Sequence, residues 1–375
     1  MSKNILITGG AGFIGSHLVD TLVEKDYEII VYDNLEERVF GKIDSAPNYL
    51  NNNITFIRGN VLDYDSFYSA IKEVEVVIHL AAAVGVGQSM YQISNYINNN
   101  TMGTANLLDI LVNKEHNVEK LIVASSMSIY GEGKYECDSC GVKYPQFRKD
   151  DNLKKGKWEH YCTDCNKELK PIPTDEEKPL DSTSIYAMSK KHQEKMSLLI
   201  GKTYGINTTA LRFFNVYGSR QALSNPYTGV CAIFSSNLLN GNSPIIFEDG
   251  LQTRDFISVK DICNSIILSM KMKSAEGEVF NVGTGIATTI KNLAELLCEK
   301  INPNISPKIL HTYRPGDIRH CIADISKIRS KLEFQPEVSL NNGIEQLIQW
   351  VKLQRGKVKD KSREALEELK TKGLL

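Results

Sequence analysis

The stretch "ITGGAGFIG", Ile7 to Gly15, closes the short apolar run "ILIT" and opens "GFIGSHLVDTLVEK", in which apolar residues recur at helical spacing. It reads as a strand, a glycine turn and a helix. Gly9, Gly12 and Gly15 stand three residues apart. A glycine at the turn lets the chain reverse, a second lets backbone N–H groups approach a pyrophosphate, and a third lets helix pack closely on strand. The helix N-terminus then offers partial positive charge to phosphate. A bare glycine triplet is often only a turn. Set between strand and helix, this one predicts a dinucleotide site formed by Gly9, Gly12, Phe13, Ile14 and Gly15. The next strand, "EIIVYD", ends in Asp33, near the separation of about twenty residues expected of an acid that hydrogen-bonds the adenosine ribose. A carboxylate there repels the extra phosphate of NADP, so the expected cofactor is NAD. The other reading of Asp33 is a turn or capping residue in "YDNL".

The same order repeats outward. "ITFIRG", the helix around "YDSFYSAI", "VEVVIHLAA", a long helix from near Asn95, "KLIVASS" and "TTALRFFNVYG" alternate strand and helix, which predicts a doubly wound parallel α/β sheet of Rossmann type over residues 1–218. Past it, "NPYTGV", "EDGLQTRDF" and "YRPGD" are loop-rich, and residues 219–350 read as a smaller α/β substrate-binding lobe. Residues 351–375 mix charges at helical spacing and read as a surface helix or tail, with no chemistry attached.

Composition narrows the partners. The 375 residues are 42% hydrophobic and 24% charged, with a formal net charge of -1, which gives no general attraction to nucleic acid or to an anionic membrane. The strand begins directly after "MSKN", leaving no room for a signal peptide, and no apolar run is long enough to span a bilayer. A cytoplasmic protein acting on a small molecule is expected. Of eight cysteines, Cys231, Cys263, Cys298 and Cys321 are scattered singly, while "ECDSCG" and "HYCTDC" hold two pairs. In a reducing compartment a disulfide framework is the weaker explanation. Cys137 with Cys140 and Cys162 with Cys165 have zinc-knuckle spacing, with twenty-one residues between the pairs. Four thiolates make a closed tetrahedral site, so the metal is expected to be structural zinc. His160 could replace one ligand, and a redox dithiol is the other reading. The insertion, about residues 132–172, has few apolar groups; a piece that small needs a staple.

"YAMSK" places Tyr186 and Lys190 four apart, on one face of a helix. An ammonium beside a phenol favours the phenolate, as a general base requires. The same spacing occurs at Tyr68 with Lys72 and at Tyr130 with Lys134. Only Tyr186 follows a strand ending in hydroxyls, "ASSMSIYG", at the sheet edge where open α/β folds bind ligands.

From Asn4 to about Trp350 the chain resembles the extended branch of the short-chain dehydrogenase/reductase family, the nucleotide-sugar epimerases and dehydratases. Nine ordered motifs carry the resemblance: "TGGAGFIG", "YDNL", "HLAA", "NNTMGT", "SSMSIYG", "YAMSK", "LRFFNVYG", "RDFISV" and "RPGD". It implies that Ser126 hydrogen-bonds the reacting sugar oxygen, Tyr186 is the base, and Lys190 also holds the nicotinamide ribose. Asn34, Asn60, Val61, Leu80, Ala81, Ala82, Asn100 and Phe213 are implied along the cofactor, although the family commonly has Gly-Asp where Gly59-Asn60 stands here. For the substrate it implies Val84 and Val230, Arg254 and Arg314 on the diphosphate, Asp317 on the nucleoside ribose, and Asn215 on a phosphate or sugar oxygen. A homodimer through the helices near Asn95 and Tyr186 is likewise a family expectation.

Dehydratases of the family carry an Asp-Glu pair just after the catalytic hydroxyl. Met127 and Ser128 stand there instead, and neither shuttles protons near neutral pH. The expected reaction is therefore 4-epimerisation: transient oxidation at C4, then return of hydride to the other face of the ketone. The insertion, "SNPYTGVCAIFSSNLLNG" and "IIFEDGLQTRDF" are similar to proteins described as dTDP-L-rhamnose 4-epimerases, so a dTDP-6-deoxyhexose is the implied substrate. A UDP-hexose 4-epimerase, a nucleotide-sugar reductase or dehydrogenase, and a non-catalytic dinucleotide sensor are the alternatives. The insertion, lying between Ser126 and Tyr186, is expected to shape or lid the sugar site.

Overall fold

A computed structural model describes residues 3–314 and 316–374. Seven parallel strands form its central sheet: β1 (Asn4–Thr8), β2 (Glu28–Asp33), β3 (Thr55–Arg58), β4 (Val76–His79), β5 (Lys120–Ser126), β6 (Asn207–Phe213) and β7 (Val279–Val282), in the spatial order β7-β6-β5-β4-β1-β2-β3. The apolar strands are continuous because both faces are covered. Side chains alternate across the pleat. Ile5, Ile7, Val31, Ile78, Ile122 and Leu211 therefore pack to one side, against Leu18 and Leu22 of helix Phe13–Val23 and Ile262 and Ile266 of helix Val259–Lys271. Leu6, Val77, Leu121 and Val123 pack to the other, against Phe67, Leu107 and Leu111. His79, from "HLAA", is buried and neutral, its pKa lowered to about 3 by burial and then by the charge of Lys190. Its ring bonds to Thr8 at 2.8 Å and Thr104 at 3.0 Å, joining β1, β4 and the helix behind them.

The structure adds detail to two expectations. The helix foreseen from near Asn95 is composite: Ile93–Tyr96, a π-helical turn over Ile97–Met102, then Gly103–Asn113. A π turn inside a helix often marks a functional site. The boundary foreseen at residue 218 is also not a clean cut, because β7 joins the large sheet and helix Val259–Lys271 covers it. The smaller lobe keeps a separate core, built by helices Val230–Leu239, Ile290–Ile301 and Leu340–Leu353.

The insertion forms a three-stranded antiparallel ribbon, Gly141–Lys143 with Lys134–Cys137 with Lys170–Ile172. Its buried core is only Tyr135, Cys137, Cys162 and Leu169, too little apolar surface to hold it alone. Residues 362–371 form a helix whose Ala365 and Leu369 are buried. Among the described residues no helix is long and apolar enough to cross a membrane.

Candidate active site

The glycine turn dictates the first wall. Gly9 has φ +68, and a Cβ on it would lie 2.9 Å from the Ala81 backbone; one on Gly15 would lie 2.5 Å from Gly9 O. Only bare backbone fits this approach of turn, helix and β4. At the tip of β2, Asp33 accepts hydrogen bonds from the N–H of Leu35 (2.9 Å) and Ala11 (3.1 Å). Burial raises its pKa against these amides. Arg38 also lines this end, but its Nη1 is committed to Gln88 and Gln92 (2.8 and 2.7 Å).

These walls belong to one cavity of about 720 Å³. Every residue expected at the cofactor or substrate lines it except Asn100. Asn100 is fully buried in the π turn, where its amide accepts from Ala83 N (2.7 Å) and donates to Ala83 O (3.0 Å) and Ser189 Oγ (2.9 Å). It therefore braces the Ala81–Ala83 wall from behind. Asn60 lines the cavity after β3, with its Oδ1 accepting from Leu62 N at 3.0 Å.

Ser126 ends β5, and its Oγ accepts from Ser128 N (3.2 Å) and Ser128 Oγ (2.9 Å). Helix Ile185–Tyr204 starts cleanly because the Ser184 side chain caps Ala187 N, which sets Tyr186 in its first turn and Lys190 one turn on. Tyr186 is raised above its ordinary pKa by burial, and a hydrogen bond with Ser126 opposes that rise. Lys190 is not the group that counters it. Instead Lys190 is itself lowered to about 7 by burial, with Glu194 one turn further along working the other way. Lys190 thus titrates near neutrality, one turn from the phenol whose pKa it was expected to lower. Glu194 is buried in turn, held by Arg212 (2.7 and 2.9 Å) and Ser125 Oγ (2.7 Å). The rival tyrosines lie elsewhere: Tyr130 Oη donates to Asn281 (2.7 Å) inside the core, and Tyr68 Oη donates to Glu115 O (3.2 Å) at the surface.

A buried lysine with a lowered pKa makes stability depend on pH. Between about 7 and the ordinary 10.5 the unfolded chain carries a proton that the folded chain does not, so the stability attached to this group rises with pH across that window. Lys190→Met is expected to raise the melting temperature of the dinucleotide-free protein more at pH 6 than at pH 10, by the equivalent of on the order of a few kcal/mol at pH 6. Thermal denaturation at the two pH values reads this, and equal shifts at both would contradict it.

The substrate half carries unspent polar atoms. Asn215 Oδ1, Gln221 Oε1 and Gln252 Oε1 are buried without a partner, and all three residues line the cavity. Buried polar groups are normally paired, so three among the residues lining one cavity fit donors on a ligand. Val230 opens a helix with no side-chain cap, a ready site for an anion. Arg314 lies 4.7 Å from the ring centre of Phe247 and bonds Asp317 through Nε (2.7 Å). Arg254 lines the cavity too, but donates to the carbonyls of Thr253, Ile318 and Arg319, bracing that segment. Gln221, Gln252 and Phe247 were not foreseen, since isolated polar or aromatic residues in loops carry no periodic signal. Val84 is 56% exposed at the cavity wall.

The ribbon insertion grips this same segment. Arg148 makes a two-pronged bond to Glu248 (2.7 and 2.9 Å) and donates to Asp317 O (2.8 Å). Arg319, fully buried, is shared by Glu159, Glu248 and Asp249. Glu132 accepts from Arg319 N (2.7 Å); burial pushes its pKa up, but His160, Arg148 and that amide overcome it and hold it at about 2. At the far end of the ribbon the sulfurs of Cys137, Cys140, Cys162 and Cys165 all lie within 4.8 Å of one another, Cys137 and Cys165 at 3.4 Å. Zn–S bonds of about 2.3 Å in a tetrahedron require sulfurs about 3.8 Å apart, so the cluster fits such an ion.

Comparison with known proteins follows the same lines. A family model described as "NAD dependent epimerase/dehydratase family" matches residues 5–153, and one described as "GDP-mannose 4,6 dehydratase" matches residues 168–347. The chain is 30% identical over 351 residues, 93% of its length and 95% of the other, to a dTDP-L-rhamnose 4-epimerase of Burkholderia thailandensis. Among solved structures it is similar to a UDP-N-acetylglucosamine 4-epimerase of Methanobrevibacter ruminantium in complex with UDP-N-acetylmuramic acid, at 33% identity and a TM-score of 0.76, covering 94% of this chain and 99% of that one. It is also similar to a UDP-glucuronic acid 4-epimerase of Bacillus cereus in complex with UDP-glucuronic acid and NAD, at 28% identity and a TM-score of 0.70, covering 93% and 99%.

Proposed function

Because the chain belongs to the NAD-dependent epimerase/dehydratase family, we propose that it is an isomerase, a nucleotide-sugar 4-epimerase working by transient oxidation at C4 with tightly held NAD. The observation that carries this reading is the placement of Ser126, Tyr186 and Lys190 in one cavity with a dinucleotide cradle at one end and unpartnered amides at the other. Met127 and Ser128 beside Ser126 lack the acid that dehydration needs, whatever the match in the second half of the chain suggests. The carboxylates among the described lining residues are Asp33 at the end of β2, Glu36 just after it, and Glu248 and Asp317 in the smaller lobe.

Gly9, Gly12 and Gly15 would hold the nicotinamide cofactor, with Asp33 for its ribose and Asn60 and Val61 for its adenine, and when bound it would supply a reversible hydride acceptor. Tyr186 Oη takes the proton of the C4 hydroxyl and later returns it. Ser126 Oγ holds that oxygen, and Lys190, poised near neutral pH, would hold the nicotinamide ribose. Arg314, Asn215 and the helix opened by Val230 hold the diphosphate, with Asp317 on the nucleoside ribose and Phe247 under the base. A fixed nucleotide and a loosely held sugar let the ketone present either face.

The substrate we favour is dTDP-L-rhamnose or a related dTDP-6-deoxyhexose, supported by the Burkholderia relative and by the apolar Val84 and Val86 at the cavity wall. A UDP-hexose is the second reading, favoured by the UDP-sugar complexes among the similar structures. Incubation with dTDP-L-rhamnose and with UDP-galactose, without added dinucleotide, is expected to give a C4-inverted product by NMR. A requirement for stoichiometric NADH would identify a reductase instead, and inversion of neither sugar would sink both substrate readings. Zinc is inferred at the four cysteines from their spacing and mutual distances. A homodimer is inferred through helices Ile93–Tyr96 and Ile185–Tyr204, where Ile93, Met188 and Leu199 are exposed. Sedimentation equilibrium giving a monomer at micromolar concentration would remove that inference.

A further inference from the structure

The helix Ser362–Thr371, to which the sequence assigned no chemistry, turns one face into the substrate cavity. Ser362, Ala365, Leu366 and Leu369 all line it, the i, i+3, i+4, i+7 positions of a single helix face. The helix is held from both lobes. Its approach to the large lobe is through Leu369, whose Cδ2 would lie 3.4 Å from a Cβ on Gly87. Toward the smaller lobe, Tyr227 Oη donates to Glu368 Oε2 at 2.8 Å, and Asn237 Nδ2 donates to Asp360 and Ser362 at 3.0 and 2.9 Å.

A series of neighbours connects the helix to the reacting end. Tyr186 packs edge-on against Tyr96, with ring centres 6.3 Å apart. A Cβ on Gly85 would lie 2.7 Å from Tyr96 Oη and 3.0 Å from Tyr227 Cβ. The series Tyr186, Tyr96, Gly85, Tyr227, Glu368 thus runs from the catalytic phenol to the helix. Phe247, Arg314 and Asp317, which mark the nucleotide end, make none of these contacts.

We propose that the C-terminal helix is part of the sugar subsite: Leu366, with Val84 and Val86 that line the same cavity, forms an apolar surface for the C5–C6 edge of the sugar. Such a surface suits the methyl group of a 6-deoxyhexose. A 6-hydroxyl set against it lacks a partner, and a 6-carboxylate fares worse. The proposal rests on the epimerase reading only for the identity of the sugar.

Isothermal titration of wild type, Leu366→Ser and Leu366→Met against dTDP-L-rhamnose and against dTDP tests it. Leu366→Ser is expected to weaken dTDP-L-rhamnose binding about tenfold, the scale of a lost apolar contact in a pocket, while dTDP binding stays within about twofold; Leu366→Met restores the sugar affinity. Retained dTDP affinity shows that the variant is folded. Unchanged affinity for both ligands in Leu366→Ser, or equal weakening of both, overturns the proposal, as does a wild type that binds the sugar nucleotide no more tightly than dTDP. A wild type that binds dTDP-L-rhamnose more tightly yet does not invert C4 overturns the epimerase reading and leaves the helix contact to stand on the Leu366 result.

Discussion

Tyr186→Phe is expected to lower turnover by about a thousandfold or more while leaving nucleotide-sugar affinity nearly unchanged. The substitution removes one oxygen and keeps the ring, so the edge-on packing with Tyr96 survives. On the proposed mechanism what is lost is the group that accepts and returns the C4 hydroxyl proton, and positioned general bases contribute about 10²- to 10⁴-fold. Lys190 cannot substitute, because burial leaves it titrating near 7 without an atom in the place of Oη. Ser126 cannot either, since an ordinary hydroxyl does not ionise at neutral pH. Single-turnover kinetics beside a binding measurement separates the two effects: a fall in affinity with turnover preserved would show that Tyr186 grips the substrate rather than moving its proton.

The second large effect is expected from removing the zinc inferred at the four cysteines. Chelation, or Cys137→Ser with Cys162→Ser, should unfold the ribbon, since its core amounts to four side chains and metal binding in isolated zinc modules is worth on the order of ten kcal/mol. The loss does not stop at the ribbon. Arg148 and Glu159 leave with it, stripping Glu248 and Arg319 of partners inside the smaller lobe, and breaking a buried pair costs about 3–5 kcal/mol. Asp317 loses the bond to its carbonyl as well. The expected outcome is a lower melting temperature and a KM for the nucleotide sugar raised about tenfold or more, with zinc absent by elemental analysis. Unchanged melting, metal content and KM in the double variant would remove both the zinc and the coupling.

The parallel sheet was legible because each central strand is buried on both faces and so reads as an unbroken apolar run, and because Gly9 and Gly15 occupy positions where a side chain would strike backbone. Ser126 and Tyr186 were legible because one ends such a strand and the other opens a helix. Asn100 was placed in the right region but facing the wrong way, since a π turn leaves no periodic trace in the sequence that tells a bracing amide from a contacting one. Arg148 looked like one more charge in a polar insertion; only the fold brings it to Glu248, a hundred residues on. The last helix was read as surface because Ala365, Leu366 and Leu369 are few among charges, and an apolar face that narrow becomes visible only when something stands opposite it.

The return of β7 and helix Val259–Lys271 to the large sheet makes the two lobes interlaced rather than strung in series. Neither half of the chain is expected to fold alone: severing it near residue 218 would strip an edge strand and a covering helix from one core and strand them with the other. Heating should accordingly melt both lobes in one cooperative transition, and proteases acting on the native protein should find their first cuts in the loops, not between the lobes.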